Sequence, residues 1–175
     1  MSGQRTRRDW GWHPLRPDWA RRLVADSPVA AGDLVLDVGA GHGALTGPLV
    51  DTGARVIAVE LHPGRAAALR ERYAERGVRV VQGDLRDLRL PSRPFRVVAS
   101  PPYSQSTPLV RLLLGTDRLL SADLVLQSAT ARRLAAAPPR ARHARRYRLR
   151  VERSVPRAAF RPPPRVDSVV LRIER

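Results

Sequence analysis

Polar groups close four apolar runs in the first hundred residues, and their types and order suggest a shared ligand. The stretch LVLDVGAGHGALT sets Gly39, Gly41 and Gly43 just after a run that contains Asp37. Glycines after a strand and before a helix permit a tight turn and let a ligand approach the backbone at the sheet's carboxyl edge. The spacing is GxGxG, not GxGxxG, so no pyrophosphate is implied and a cofactor without phosphates is favoured. Glu60 ends the second run, where a carboxylate can accept both hydroxyls of a ribose. Asp84, in VVQGD, ends the third, placed to accept from an adenine amino group. The fourth run stops at Ser100-Pro101-Pro102-Tyr103. Two prolines fix two φ angles and remove two donors, so a hydroxyl, free carbonyls and a ring are held rigidly at a strand end. Each feature alone would serve equally as an ordinary turn or surface acid; four in succession make the pattern.

The elements that must carry these groups alternate. Strands are expected at Leu34–Val38, Arg55–Glu60, Val78–Val81, Phe95–Ala99, Asp123–Gln127, Tyr147–Val155 and Val169–Ile173. Helices are expected at Ala44–Thr52, Pro63–Arg76 and Thr107–Leu114, the last with proline in its first turn. Strand–helix alternation implies a parallel sheet with right-handed crossovers. Only PRAAFRPPPRVD separates the last two strands, which should therefore pair antiparallel.

The chain has 175 residues and is read as one domain. It lacks cysteine, has four scattered histidines, and carries no apolar run near the about 18–20 residues of a membrane span. No metal, membrane partner or secretory signal is expected, and a cytoplasmic monomer is. The net charge is +16, with every basic residue an arginine. Residues 23–131 hold 12 arginines against 11 acids, whereas 132–165 hold 12 against Glu152 alone and 1–22 hold six against two. Codon bias explains arginine over lysine but not this segregation, which points to a polyanion, nucleic acid ahead of membrane. Residues 1–22 read as a basic N-terminal segment and 128–146 as a basic arm, with Arg132, Arg133, Arg140, Arg142, Arg145 and Arg146 as candidate RNA contacts.

The constellation resembles class I S-adenosylmethionine-dependent methyltransferases: α/β, Rossmann-like, with a mostly parallel seven-stranded sheet and an antiparallel last strand. The SPPY stretch is similar to the [DNS]-PP-[YF] motif of enzymes that methylate exocyclic amino groups of bases. VPRAAFRPPPRVDSVVL resembles the late signature F-x-P-x-P-x-V-D-S of the Erm/KsgA group of rRNA adenine N6-methyltransferases. RRDWGWHPL sits where that group has G-Q-N-F-L; Gly11 and Leu15 match, while Trp12, His13 and Pro14 differ. The WGWH stretch is similar to that of the short actinobacterial Erm-type members, which lack the C-terminal helical domain.

The resemblance implies methyl transfer from S-adenosylmethionine to N6 of an adenine in the peptidyl-transferase region of 23S rRNA, with resistance to macrolides, lincosamides and streptogramin B. It implies a cofactor set of His13, Leu15, Asp37, Gly39, Gly41, Glu60, Leu61, Asp84, Leu85 and Ser100. Ser100, Pro101 and Tyr103 would hold the adenine, with Phe160 on its other face, and the basic arm would stand in for a helical RNA-binding domain. Ser100 occupies the usual Asn position, and SPPY is familiar in cytosine-N4 DNA enzymes. The alternatives are therefore an amino methyltransferase on 16S rRNA adenine or DNA, or a weakly active RNA-binding protein on this fold.

Overall fold

A computed structural model of the protein describes residues 13–175. Seven strands form one sheet in the order β3-β2-β1-β4-β5-β7-β6. They are β1 (Leu34–Val38), β2 (Arg55–Glu60), β3 (Arg79–Gln82), β4 (Phe95–Ala99), β5 (Leu119–Gln127), β6 (Arg148–Val155) and β7 (Ser168–Glu174). Strands β1 to β5 pair parallel, and β7 lies antiparallel to both β5 and β6. The expected antiparallel last strand is therefore present, inserted between its neighbours.

Five helices cover the sheet: α1 (Pro17–Asp26), α2 (Thr46–Asp51), α3 (Pro63–Arg72), α4 (Ser106–Leu113) and α5 (Ser128–Ala136). Alternation along the strands sends side chains to opposite faces. In β1, Leu36 and Val38 join Phe95, Leu109, Leu113, Leu124, Leu134 and Leu171 on the α4–α5 face. Val35 joins Ala20, Leu23, Leu49, Val98 and Val125 on the α1–α2 face. Burial on both faces explains why the central strands read as apolar runs rather than alternating ones.

The differences from expectation have local causes. Strand β5 begins at Leu119, four residues early, because Ser121 and Ala122 pair with both β4 and β7. Helix α3 stops at Arg72; Tyr73 buries its ring, and Gly77 turns the chain at φ 69°. Helix α1 was not foreseen, although Pro17 at its start and buried Ala20, Leu23 and Val24 form a short helical pattern. The segment expected as a basic arm is ordered. Residues 128–136 form α5, which buries Ala131 and Leu134, and Ala141 and Ala144 pack on the same core. His143 N–H donates to the Leu114 carbonyl at 3.0 Å.

Candidate active site

The β1 turn is tied directly to the second strand end. Gly39 and Ala40 N–H donate to the Val59 carbonyl at 2.8 and 3.0 Å, and Gly41 N–H donates to Glu60 Oε2 at 2.8 Å. Gly39 takes φ 77°, which a side chain adopts only with strain. A Cβ there would also lie 3.1 Å from Pro102 Cδ and 3.3 Å from Pro101 Cα, so the glycine turn packs against the proline turn of β4. Asp37 is buried and accepts from Thr46 Oγ1 at 2.7 Å, bracing the start of α2. Burial raises its pKa to about 7, the Thr46 hydroxyl opposes the rise, and the nearby Glu60 charge adds to it.

Glu60 is 3% exposed and heavily engaged. Its Oε1 accepts from His62 N–H at 2.8 Å and from Arg65 Nε and Nη2 at 3.0 and 2.8 Å. Asp84 caps the short turn Leu85–Asp87: Oδ1 accepts from Arg86 N–H and Nε, and Oδ2 from Arg86 Nη2 at 2.7 Å. The Arg86 hydrogen bonds hold the Asp84 pKa down at about 2. A carboxylate offers about four lone-pair positions. Glu60 Oε2 and Asp84 Oδ2 each retain one, so each acid can still accept from a ligand hydroxyl or amino group. The residues fit S-adenosylmethionine on that basis. Leu61 stands 42% exposed beside Glu60, an apolar surface for a ring, whereas the Leu85 side chain turns into the core.

At the fourth strand end the described residues give the Ser100 hydroxyl no hydrogen-bond partner. Ser100 lines a cavity of about 40 Å³ with His13, Leu15, Asp37, Gly39 and His42. The Pro102 carbonyl accepts from Gln105 N–H at 2.8 Å, closing a 3₁₀ turn at Tyr103–Gln105. Tyr103 Oη and Ser168 Oγ are 2.8 Å apart. The His13 ring stacks on Tyr103, centroids 5.6 Å apart and planes at 28°. Phe160 is 3% exposed in the α1–α2 core, and its backbone forms an antiparallel bridge with Leu15. Sequence reasoning missed Ser168, although it lies in the quoted VDS stretch.

Arg132, Arg133, Arg140, Arg142, Arg145 and Arg146 are all exposed and none pairs with a carboxylate. Arg132 and Arg133 reach only hydroxyls, Ser128 Oγ and Thr107 Oγ1, each at 3.3 Å. Trp12, Gly11 and the arginines before them lie outside the described residues. Among those described, no group of acids and histidines could hold a metal, and no helix is long and apolar enough to cross a membrane.

Residues 16–175 match the family model for ribosomal RNA adenine dimethylase. The chain belongs to that family. The small subunit rRNA methyltransferase A of Thermosynechococcus vestitus is 36% identical over 95% of this chain and 69% of its own length. The rRNA adenine N-6-methyltransferase of Streptomyces fradiae is 37% identical over 89% of this chain and 53% of its own. The crystal structure of the 23S rRNA methyltransferase ErmE superposes with a TM-score of 0.81 at 28% identity, over 92% of this chain and 69% of that one. The chain thus spans between about half and about two-thirds of the length of these relatives. The fold is that of class I S-adenosylmethionine-dependent methyltransferases, as expected from the four strand ends.

Proposed function

We propose that this family member transfers a methyl group from S-adenosylmethionine to N6 of an adenine in the peptidyl-transferase region of 23S rRNA. It would act as a cytoplasmic monomer and confer macrolide, lincosamide and streptogramin B resistance. The observation that carries the reading is the uncommitted Ser100 hydroxyl on the rigid Pro101-Pro102 turn, beside an anchored Tyr103. An adenine amino group is a weak nucleophile because its lone pair is delocalised into the ring. Ser100 Oγ and the Pro101 carbonyl, accepting its two hydrogens, would favour sp³ geometry and aim the lone pair at the methyl. A turn fixed in advance does this with little reorganisation.

S-adenosylmethionine supplies an electrophilic methyl group. Glu60 and Asp84 would bind its ribose and adenine, and the Gly39–Gly41 turn would let it approach the backbone. Tyr103 would stack on the target base, which must leave its helix or lie in a loop. After transfer the amino proton is acidic and passes to solvent, so no general base is required.

The ErmE likeness supports the 23S target. An adenine of 16S rRNA is the second reading, favoured by the small subunit methyltransferases among the relatives. Radiolabelled cofactor offered with naked 23S rRNA, assembled ribosomes, 16S rRNA and duplex DNA separates these. The expected result is label in 23S rRNA and raised macrolide tolerance in an expressing host. Label confined to 16S rRNA or DNA would replace the 23S reading.

A further inference from the structure

His13 forms part of the wall beside Ser100, together with Leu15, Asp37 and Gly39. Asp37, Gly39 and Ser100 are fixed by strand ends. Pro14 to Arg16 are pinned by a short ladder: Arg161 N–H donates to the Pro14 carbonyl at 3.0 Å, and Arg16 N–H to the Ala159 carbonyl at 2.8 Å. His13 is the first residue beyond that ladder.

Its side chain is held lightly. Nδ1 lies 3.3 Å from the Pro162 carbonyl. A carbonyl only accepts, so Nδ1 carries the hydrogen in this contact, which is long and exposed. Among the described residues, its ring contact is the stack on Tyr103. A base sandwiched between two rings needs each about 3.5 Å away, the optimal carbon contact distance. The two centroids, at 5.6 Å, are closer than two such spacings. Adenine therefore cannot slide between His13 and Tyr103 as they stand.

We propose that His13 is a placeholder for the target base: its imidazole covers Tyr103 in the free protein, and the adenine displaces it. This rests on the reading of Ser100 to Tyr103 as the base site. It moves His13 from the cofactor side, where the sequence pattern put it, to the substrate side. The stack keeps an apolar ring face out of water until the base arrives, and it sets a threshold that RNA binding must exceed.

Two measurements test the proposal. In single-turnover methylation of an rRNA hairpin accepted by the wild type, His13→Ala should lower the RNA KM about two- to tenfold, the equivalent of ~0.5–1.5 kcal/mol for an aromatic pair. His13→Trp should raise it, and calorimetric S-adenosylmethionine affinity should stay the same in both. An unchanged or raised KM in His13→Ala, or a loss of cofactor affinity, overturns the placeholder. Independently of turnover, the His13 imidazole NMR signals should carry the ring-current shift of Tyr103. They should move on hairpin addition to the values seen in Tyr103→Leu. Signals that stay put at saturating hairpin while methyl transfer proceeds sink this inference alone. Absence of methyl transfer by the wild type to any nucleic acid sinks the functional reading instead.

Discussion

Tyr103 Oη and Ser168 Oγ, 65 residues apart in the chain, lie 2.8 Å from each other. The bond ties the turn after β4 to the first residue of β7, the strand that lies antiparallel between β5 and β6. Ser168 is buried, so the contact is sheltered from water. The tyrosine ring is thereby fixed at its tip as well as at its root.

Removing that anchor should free the ring without touching the cofactor edge. A neutral hydrogen bond contributes about 0.5–1.5 kcal/mol net. Ser168→Ala should therefore raise the RNA KM about two- to tenfold, with S-adenosylmethionine affinity unchanged, and Ser168→Thr should restore it. A fall in cofactor affinity by calorimetry would show that the serine supports the sheet rather than the ring.

Gly39 makes the two turns one unit. Gly39→Ala adds a Cβ 3.1 Å from Pro102 Cδ and forces a side chain into φ 77°, a backbone cost of about 1–2 kcal/mol. Both kcat and cofactor affinity should drop together. Gly32 supplies the control: φ is 83°, but nothing lies within 4 Å of its Cβ position. Gly32→Ala should lower Tm with activity per folded molecule intact. Equal loss of activity in both variants would mean that backbone strain alone is responsible.

The central strand ends were legible because residues buried on both faces of a parallel sheet must be apolar, so Glu60, Asp84 and Ser100 stood out against their runs. The α5 helix was hidden for the opposite reason. Arginines are prominent on its exposed side, and Ala131, Leu134 and the partly buried Ala135 face the core, too few to show a period amid an alanine- and arginine-rich stretch. Phe160 shows another limit. Its place in a late motif suggests a stacking face, and its backbone bridge to Leu15, 145 residues away, is something no local pattern records. Arg65 and Arg86, which hold Glu60 and Asp84, were equally invisible, since an arginine near an acid in sequence is common in a chain with 32 of them.

Asp37 should leave a pH signature in stability. Its folded pKa, about 7, lies above the about 3.9 of an unfolded aspartate. The stability it gains by holding a proton is fully present below about pH 4 and is lost as pH rises to 7. Asp33 and Asp84 shift downward, so their contributions change only at more acid pH. The Tm of the wild type minus that of Asp37→Asn should therefore fall by several degrees between pH 4.5 and 8. A difference that is constant across that window would refute the buried, proton-holding aspartate.

The exposed arginines of residues 140–146 should dominate salt sensitivity. Each phosphate neutralised adds about −0.7 to the log–log salt slope on single-stranded RNA and about −0.9 on a duplex. Changing Arg140, Arg142, Arg145 and Arg146 to Gln should flatten the slope by about 3 units and raise the RNA KM while cofactor affinity holds. Because Ala141, Ala144 and Tyr147 anchor the segment, the fold should survive. An unchanged slope would place the RNA elsewhere on the surface.

The uncommitted Ser100 hydroxyl gives the most direct test of the chemistry. If it accepts one hydrogen from the target amino group, its removal takes away a group aligned before reaction begins. Such groups typically contribute ~2.7–4 kcal/mol to the barrier. Serine is shorter than the asparagine common at this position and can rotate, so the effect of Ser100→Ala should sit near the lower bound, about 10²-fold in kcat. If its role is to hold the base, as proposed, the loss should appear in kcat with cofactor affinity unchanged. Ser100→Asn should stay active on adenine, with Pro101 limiting any gain. Single-turnover methylation of an rRNA hairpin decides between two outcomes. A slow Ser100→Ala variant confirms the hydroxyl as an acceptor for the amino group, and one as fast as the wild type reduces Ser100-Pro101-Pro102-Tyr103 to a rigid turn.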